Sequence, residues 1–419
     1  MSLRHSSKAE PRVFPWKNCL ASAQVDRVQE ITGSDSMNRE RIKEVGREGI
    51  VAWKEGTPEV SATVMQLEFG EMDFWQQLAN VSASTKKIAL TDFKTSKVDL
   101  AVFCSDDDDA FKSTIWLEEL KVTGFSLNIG DPEALIERTI NVVGEKHKEL
   151  QSDNKYLIEV VKTVESGEAG DIDIILMAGD YATYPAPVED PNNAGEYILK
   201  VVRYVSSTGE TDEISEGVAV GTFGYVNATK TITLYGAEDD DVYRVYYSAT
   251  TYISGATPWT DNDVDAAGIE ADCVTVLLRT TSDQVYRLQS CGIEVSFDRF
   301  DVREIGSPDV VKEGSREITV SISMDRILET IRMEELVMGK VANWGIIDID
   351  KFLNNSTLCV KIYEDNTKTT FKMGYEFTDL AVASLDVGIP VDEYDTRSVS
   401  LEGEEGIIVN EEAQLSITV

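Results

Sequence analysis

Histidine is almost missing: His5 and His147 are the only two in 419 residues. A chain so poor in imidazole has little scope for His-based catalysis or a His-rich metal site. Basic residues are scarce as well, with 39 Lys and Arg against 75 Asp and Glu and a formal charge of −36. That balance argues against gripping nucleic acid in a basic groove, because neutralising phosphates takes clustered Lys and Arg. Cysteine is limited to Cys19, Cys104, Cys273, Cys291 and Cys359, odd in number, widely spaced and without a CxxC pair. These read as free thiols in a reducing compartment rather than a disulfide framework or a zinc site. Long apolar runs are lacking too: stretches such as Ile174 to Ala178 fall far short of the ~20 residues needed to cross a bilayer. The opening MSLRHSSKAEPRVFPWKNCL has no apolar segment of the secretory type. No GxSxG, HExxH, Walker A loop or GxGxxG after a strand occurs. The expectation is a non-enzymatic protein made in the cytoplasm, with no cofactor, no metal and no membrane insertion of its own.

What the chain does contain is a repeat. QVDRVQ at Gln24 to Gln29 returns as QVYRLQ at Gln284 to Gln289, and IKEVG at Ile42 to Gly46 returns as VREIG at Val302 to Gly306, both at an offset of 260. Across the ungapped windows 24–46 and 284–306, eight of 23 positions are identical, where residue usage alone gives roughly one or two. They include Gln24 with Gln284, Arg27 with Arg287, Gln29 with Gln289, Arg39 with Arg299, Glu44 with Glu304 and Gly46 with Gly306. The register slips by two at Lys54 to Gly56 against Lys312 to Gly314, then recovers at Phe111 with Phe371, Leu120 with Leu380 and Val122 with Val382. The spacing predicts one domain over 20–147 and a second over 282–419, preceded by a polar, Pro-containing flexible arm over 1–19.

Both copies carry the alternation of half-buried strands, as in Ile293, Val295 and Phe297 with Glu294, Ser296 and Asp298 between them. Each also has one helix-like segment, Glu71 to Leu78 and Asp325 to Met338. Between the copies, 150–281 forms a separate insertion rich in Tyr, Val and Thr. Its segments Tyr197 to Val205, Thr222 to Tyr235 and Asp241 to Tyr252 read as a small β-sandwich. Residues 151–280 hold 23 acidic and 7 basic side chains, a balance of −16, so a solvent-facing position is expected. Asp261, Asp263, Asp265 and Asp272 imitate a calcium loop, but Ala266 stands where the sharp turn needs Gly. That run, with Asp106 to Asp109 and Asp239 to Asp241, reads as solvated loops and hairpin tips. The six tryptophans have no spacing of a stacking platform and read as core or interface anchors.

The segment Gln24 to Ala79, with its strand, Gly-ended turn, strand PEVSATVMQLEFG and short helix, resembles the major tail tube proteins of long-tailed (siphovirus-type) bacteriophages. The C-terminal stretch Phe377 to Asn410, including SVSLEGEEGIIV, looks like the closing strands of the same fold. The likeness covers both repeats but not the insertion. It implies a mainly β chain with two tandem tail-tube-like β-barrel or sandwich domains, one helix each, and an inserted β-sandwich on the outside. It further implies a virion tail location, homotrimer rings of pseudo-sixfold symmetry stacked into a tube, and other tail proteins as partners. The lumen would hold tape-measure protein and DNA without sequence-specific DNA binding. The duplicated positions Gln24, Arg27, Gln29, Glu44, Gly46, Phe111 and their partners would then be structural. Alternatives are a baseplate hub or tail terminator of the same fold, or an extracellular glycan-binding or glycan-active β protein, for which the six Trp, 15 Tyr and paired carboxylates speak.

Overall fold

The computed structural model describes residues 9–16, 23–25, 27–42, 52–68, 70–105, 111–131, 133–144, 146–150, 156–190, 193–208, 210–256, 268–278, 285, 288–303, 310–327, 352, 354–388 and 396–416. Strands dominate, as the alternating sequence predicts, and the named strands among the described residues pair antiparallel. The N-terminal unit comprises β1 (Ala9–Pro15), β2 (Ala23–Gln24), β3 (Val28–Ile42), β4 (Ala52–Leu67), α1 (Asp73–Ala79), β5 (Lys87–Ala89), β6 (Val98–Ser105), β7 (Phe111–Ile129), β8 (Glu137–Gly144) and β9 (Lys146–Leu150). The C-terminal unit comprises β17 (Val274–Leu278), β18 (Leu288–Arg303), β19 (Val310–Ile327), β20 (Ser356–Tyr363), β21 (Phe371–Gly388), β22 (Thr396–Gly403) and β23 (Glu405–Val409).

The two units are wired alike. In the first, β3 pairs β4, β4 pairs β8, and β7 pairs β8, β6 and β9. In the second, β18 pairs β19, β19 pairs β22, and β21 pairs β22, β20 and β23. The irregularities agree as well: bulges at Met37/Arg39 and Phe297/Arg299, and at Val122/Gly124 and Val382/Ser384. A bulge is tied to a local need to bend or re-aim a strand, so matched bulges mark matched architecture.

β7 and β21 are long because each serves two sheets. Glu119 in β7 and Asp379 in β21 have left-handed φ of 57° and 53°, and the strand turns a corner there. Residues up to Leu120 pair with β6 and β9, and those from Lys121 onward pair with β8. Asp99 Oδ1 accepts the Glu119 N–H at 2.8 Å, fixing the bend in the first unit. Across from each corner stands a glycine: a Cβ at Gly144 would lie 2.6 Å from the Glu118 carbonyl oxygen, and one at Gly403 would lie 2.6 Å from Leu380 Cδ2. Of the barrel and sandwich alternatives, layered open sheets hold; no sheet closes into a barrel among the described residues.

The inward positions of β4, β7, β8, β18, β19 and β22 are buried apolar residues such as Val64, Phe125, Leu127, Ile140, Val295, Ile322 and Leu401. α1 plugs this core. Trp75 is fully buried and meets Phe125, Phe93 and Tyr375 edge-on at centroid distances of 4.9, 5.9 and 6.3 Å. The helix ends at Asn80 in left-handed conformation, whose N–H bonds the Gln76 and Gln77 carbonyls. The second expected helix is corrected in part: Asp325 to Ile327 continue β19, paired with Ser398, Arg397 and Thr396, and the rest of that segment lies outside the described residues.

The insertion contains β10 (Tyr156–Thr163), β11 (Gly170–Ile175), β12 (Ile198–Tyr204), β13 (Thr211–Glu213), β14 (Phe223–Val226), β15 (Thr231–Ala237) and β16 (Val242–Ala249). They form a four-stranded sheet, β10-β16-β12-β13, and a three-stranded sheet, β11-β15-β14. Between the two lies a separate core including Ile158, Val160, Ile174, Ile232, Leu234 and Tyr247. Two boundaries are corrected. β17 pairs β20 over five residues, so Val274–Leu278 belong with the C-terminal unit, which therefore does not begin at 282. A flexible arm over 1–19 fails for Ala9 to Trp16, because β1 pairs seven residues with β6 and buries Phe14 and Trp16. Asp239 and Asp240 do occupy a turn, but Asp241 is buried and bridges Arg203 at 2.6 Å, because a carboxylate there closes the hairpin end.

Because the Gly144 corner leaves no room for a Cβ, Gly144→Ala is expected to destabilise the chain by roughly 1–3 kcal/mol. Urea unfolding measures this, and an unchanged midpoint would mean the corner yields freely.

Candidate assembly surface

The seam between the two units is the feature on which assembly can be built. β18 continues the N-terminal sheet by pairing β7, with Cys291 opposite Ile129, Ile293 opposite Leu127, Glu294 opposite Ser126 and Ser296 opposite Gly124. Arg299 locks it: Nε and Nη2 donate to the Val122 carbonyl at 3.1 and 2.6 Å, Nη2 also to the Phe93 carbonyl at 2.8 Å, and Nη1 to the Lys94 carbonyl. A charged donor on several carbonyls is worth more than neutral bonds of the same number. Glu68, buried in the first unit, ties in Tyr375 of the second through its hydroxyl at 2.8 Å and Arg138 at 3.3 Å. Burial, with the Glu68 charge adding, pushes the Tyr375 phenol well above its ordinary value.

The seam uses one edge of each unit and leaves the equivalent other edges open among the described residues. β3 pairs only β4, and Thr32 to Ser36 along it are exposed. β21, past its corner, has β22 on one side only. Phe125 and Leu127 of β7 are each 2% exposed under the seam, whereas Val387, which stands at Leu127's equivalent position, is 52% exposed. Leu385, at the Phe125 position, is half-buried. The β3 edge differs in chemistry: Gly33 and Asp35 occupy the places of Ile293 and Val295, and Asp35 Oδ2 meets His147 Nδ1 at 2.7 Å.

The outward face of this continuous sheet is hydroxyl-lined and acidic. Across the strands run Thr139, Ser126, Glu294, Ser321 and Glu402 in register, and beside them Glu137, Asn128, Gly292, Ser323, Ser400 and Ser384. Several hydroxyls bond sideways, Thr63 to Asn141 at 2.9 Å and Ser384 to Ser400 at 2.8 Å. Glu317, Asp325 and Asp386 add charge on the same face. The recess among Ser126, Glu294, Ser321 and Glu402 is a trough across the seam.

On the far side of the first unit, the insertion is clamped down. Phe14, Trp16, Phe103 and Trp116 pack against Leu157, Val202 and Tyr246. In the middle, buried Lys200 meets Asp99 at 3.0 Å and Glu118 at 3.2 Å, and sits 4.2 Å from the Trp16 ring centroid. Burial would lower this ammonium, but Asp99 and Glu118 outweigh it and hold it above its ordinary value. The second unit closes the matching face with its own C-terminal segment, through Lys361 to Glu412 at 2.7 Å and the Ser416 N–H to Glu376 at 2.7 Å.

Of the repeat positions singled out in the sequence, Gln24 lies in β2, Arg27 in a turn with φ 56°, Gln29 on β3, Gln289 on β18, and Phe111 and Phe371 open β7 and β21. Phe111 stands opposite Ser105 and Phe371 opposite Tyr363, so these two are equivalent in register. They are not gathered into one site. Glu44, Gly46, Gln284, Arg287, Glu304 and Gly306 lie outside the described residues, as do Asp261, Asp263 and Asp265. Among the described residues no group of His, Cys, Asp and Glu is placed to hold a metal ion, the free cysteines Cys104, Cys273, Cys291 and Cys359 are buried, and no helix is long and apolar enough to cross a membrane.

No family model and no curated protein matches the chain. Solved structures similar to parts of it include the anti-feeding prophage baseplate, at 10% identity and TM-score 0.28 over 36% of this chain and 98% of that one. The anti-feeding prophage tube-terminating cap follows at 12% identity and TM-score 0.27, covering 38% and 100%. The SPP1 Dit protein, described as a hub of the adsorption apparatus in phages infecting Gram-positive hosts, has 12% identity and TM-score 0.18, covering 57% and 99%. At these scores the overlaps carry no functional weight, and the seam and edges of the chain itself do.

Lys200→Ala is expected to cost about 3–5 kcal/mol, since it strands two buried carboxylates. Thermal unfolding of the full chain reads this out. A change under about 1 kcal/mol would show that the pairs are dispensable.

Proposed function

We propose that the chain is a structural subunit of a phage-type tail, assembling as rings that stack into the DNA-conducting tube, and that it acts without catalysis. What carries this reading is the seam: two units of like wiring, read as copies of one duplicated domain, are joined edge to edge, and each leaves open the edge that the other has filled. The open β21 of one chain and the open β3 of the next then repeat the β7–β18 contact. Such a heterologous contact closes into a ring when its rotation permits, and closure removes the exposed strand edges. Six units close the ring in the family that the sequence resembles, so three chains suffice here, and covalent linkage supplies every second seam.

The hydroxyl-lined, acidic sheet face becomes the lumen wall in this arrangement. Serine and threonine keep it wetted, and Glu137, Glu294, Glu317 and Glu402 repel phosphate rather than holding it. DNA and an elongated tape-measure protein would pass along it without sequence-specific contact. The insertion, fixed to the opposite side of the first unit, faces outward. The same ring without stacking would serve as a hub or terminator, and electron microscopy of purified protein separates a stack from a single ring.

Transferring the internal register to the chain-to-chain seam places Ser34 opposite Asp386, as Glu294 stands opposite Ser126. A double variant Ser34→Cys with Asp386→Cys should form interchain disulfides under mild oxidation and yield a covalent ladder ending at three chains. Crosslinks absent from assembled protein, or a ladder closing at six chains, would refute the arrangement.

A further inference from the structure

Three charged groups meet out of water where the insertion docks. The side chains of Lys200 in β12, Asp99 in β6 and Glu118 in β7 are each 0% exposed. Lys200 Nζ stands 3.0 Å from Asp99 Oδ2 and 3.3 Å from Oδ1, and so faces the carboxyl carbon between them. A nucleophile held at about 3–3.5 Å is already at near-attack range. Asp99 Oδ1 accepts two further N–H groups, Trp16 Nε1 and the Glu119 amide, each at 2.8 Å. Glu118 Oε2 lies 3.2 Å from the same Lys200 ammonium, and Lys148 holds Oε1 at 2.8 Å. Phe14, Trp16, Phe103, Trp116 and Tyr246 wall the cluster and keep water out. Among the described residues the other fully buried lysine in an ion pair, Lys361, meets a Glu412 that is 40% exposed.

We propose that Lys200 and Asp99 condense to an isopeptide bond that staples the insertion to the first unit, with Glu118 as the catalytic proton carrier. Burial above all, with the Glu118 charge adding to it against the pull of Lys200, pushes the Asp99 carboxyl above its ordinary value, toward the acid form that an amine attacks. Lys200 itself is held as an ammonium, so the reactive form is reached by moving its proton within the cluster. Glu118 takes one proton from Nζ and passes it to Oδ2, and amine plus acid then hold the same protons without separated charge, the form a dry site penalises least. The Nζ lone pair forms the bond to the Asp99 carboxyl carbon, and the charge that develops on Oδ1 falls on the two N–H donors already there. Glu118 moves a second proton from Nζ to Oδ2, the carbon–Oδ2 bond breaks, and water leaves. That water carries Oδ2 and two of the three Nζ protons; the third stays on the amide nitrogen and Glu118 ends ionised, as it began. No oxidant or activating group is consumed. Asp99 rather than Glu118 is the acceptor because both its oxygens face Nζ and one is polarised by N–H donors, whereas Glu118 is shared with Lys148. The bond joins residues 101 positions apart, so the insertion cannot peel away from β6 and β7 even when the surrounding contacts loosen. It forms within one chain, whether or not chains assemble into rings.

The test is the intact mass of the full-length chain after denaturation, with tandem mass spectrometry of its tryptic peptides. Wild type should fall short of its sequence mass by one water and yield a branched peptide joining Asp99 to Lys200. Glu118→Gln, confirmed as folded by circular dichroism, should keep the full sequence mass, as should Asp99→Ala and Lys200→Arg. Wild type at its full sequence mass would overturn the bond, and this reading needs no variant to fold. A missing water without the branched peptide, which marks a cyclised aspartate elsewhere, would overturn it too, and a branch at Glu118 would overturn the choice of acceptor. Complete crosslinking in Glu118→Gln would refute the proton carrier.

Discussion

A β-strand edge is a row of backbone donors and acceptors that must be satisfied by something. In this chain that constraint is met between the units where β18 completes β7 and where β23 takes up β5, and the rest of the architecture follows from it. The sheet becomes continuous across two units, α1 and Tyr375 share one core beneath it, and Arg299 and Glu68 each tie one unit to the other. The corner strands β7 and β21 exist because each unit has a second sheet to feed, and the glycines at 144 and 403 are the space that such a corner demands.

The like wiring of the two units was foreshadowed because strands facing a core hold their period and their lengths, and 24–46 against 284–306 share a third of their residues as well. The sandwich in the insertion was legible for the same reason, through Tyr- and Val-rich runs ending in turn residues. What failed did so where tertiary pairing decides. The polar arm at the N-terminus was judged by composition, yet Val13, Phe14 and Trp16 find a partner in β6 that local reading cannot see. Asp325 to Ile327 have helical composition but continue a strand because β22 is already alongside.

The seam between the units was half visible. Arg39 and Arg299 could be matched by offset, but nothing local said that the second lies on three carbonyls of another unit. The Lys200 hub was invisible: Asp99, Glu118 and Lys200 are far apart in sequence, and burying a charge is normally a reason to doubt such an assignment. Trp16 and Trp116 were rightly read as anchors, though what they anchor is the insertion.

The seam inside the chain and the two open edges are made of unequal material. Inside the chain, Ile293 and Val295 press on Leu127 and Phe125, and Gly124 lets the strands close. At the open edges Gly33 and Asp35 replace the first pair, and Ser384 replaces the glycine. In the ring proposed above, such a wet and partly charged rim would keep newly folded copies apart until they meet a surface that aligns them. Rings built this way would grow on a template more readily than they arise in free solution, and would come apart chain by chain with the inner join intact.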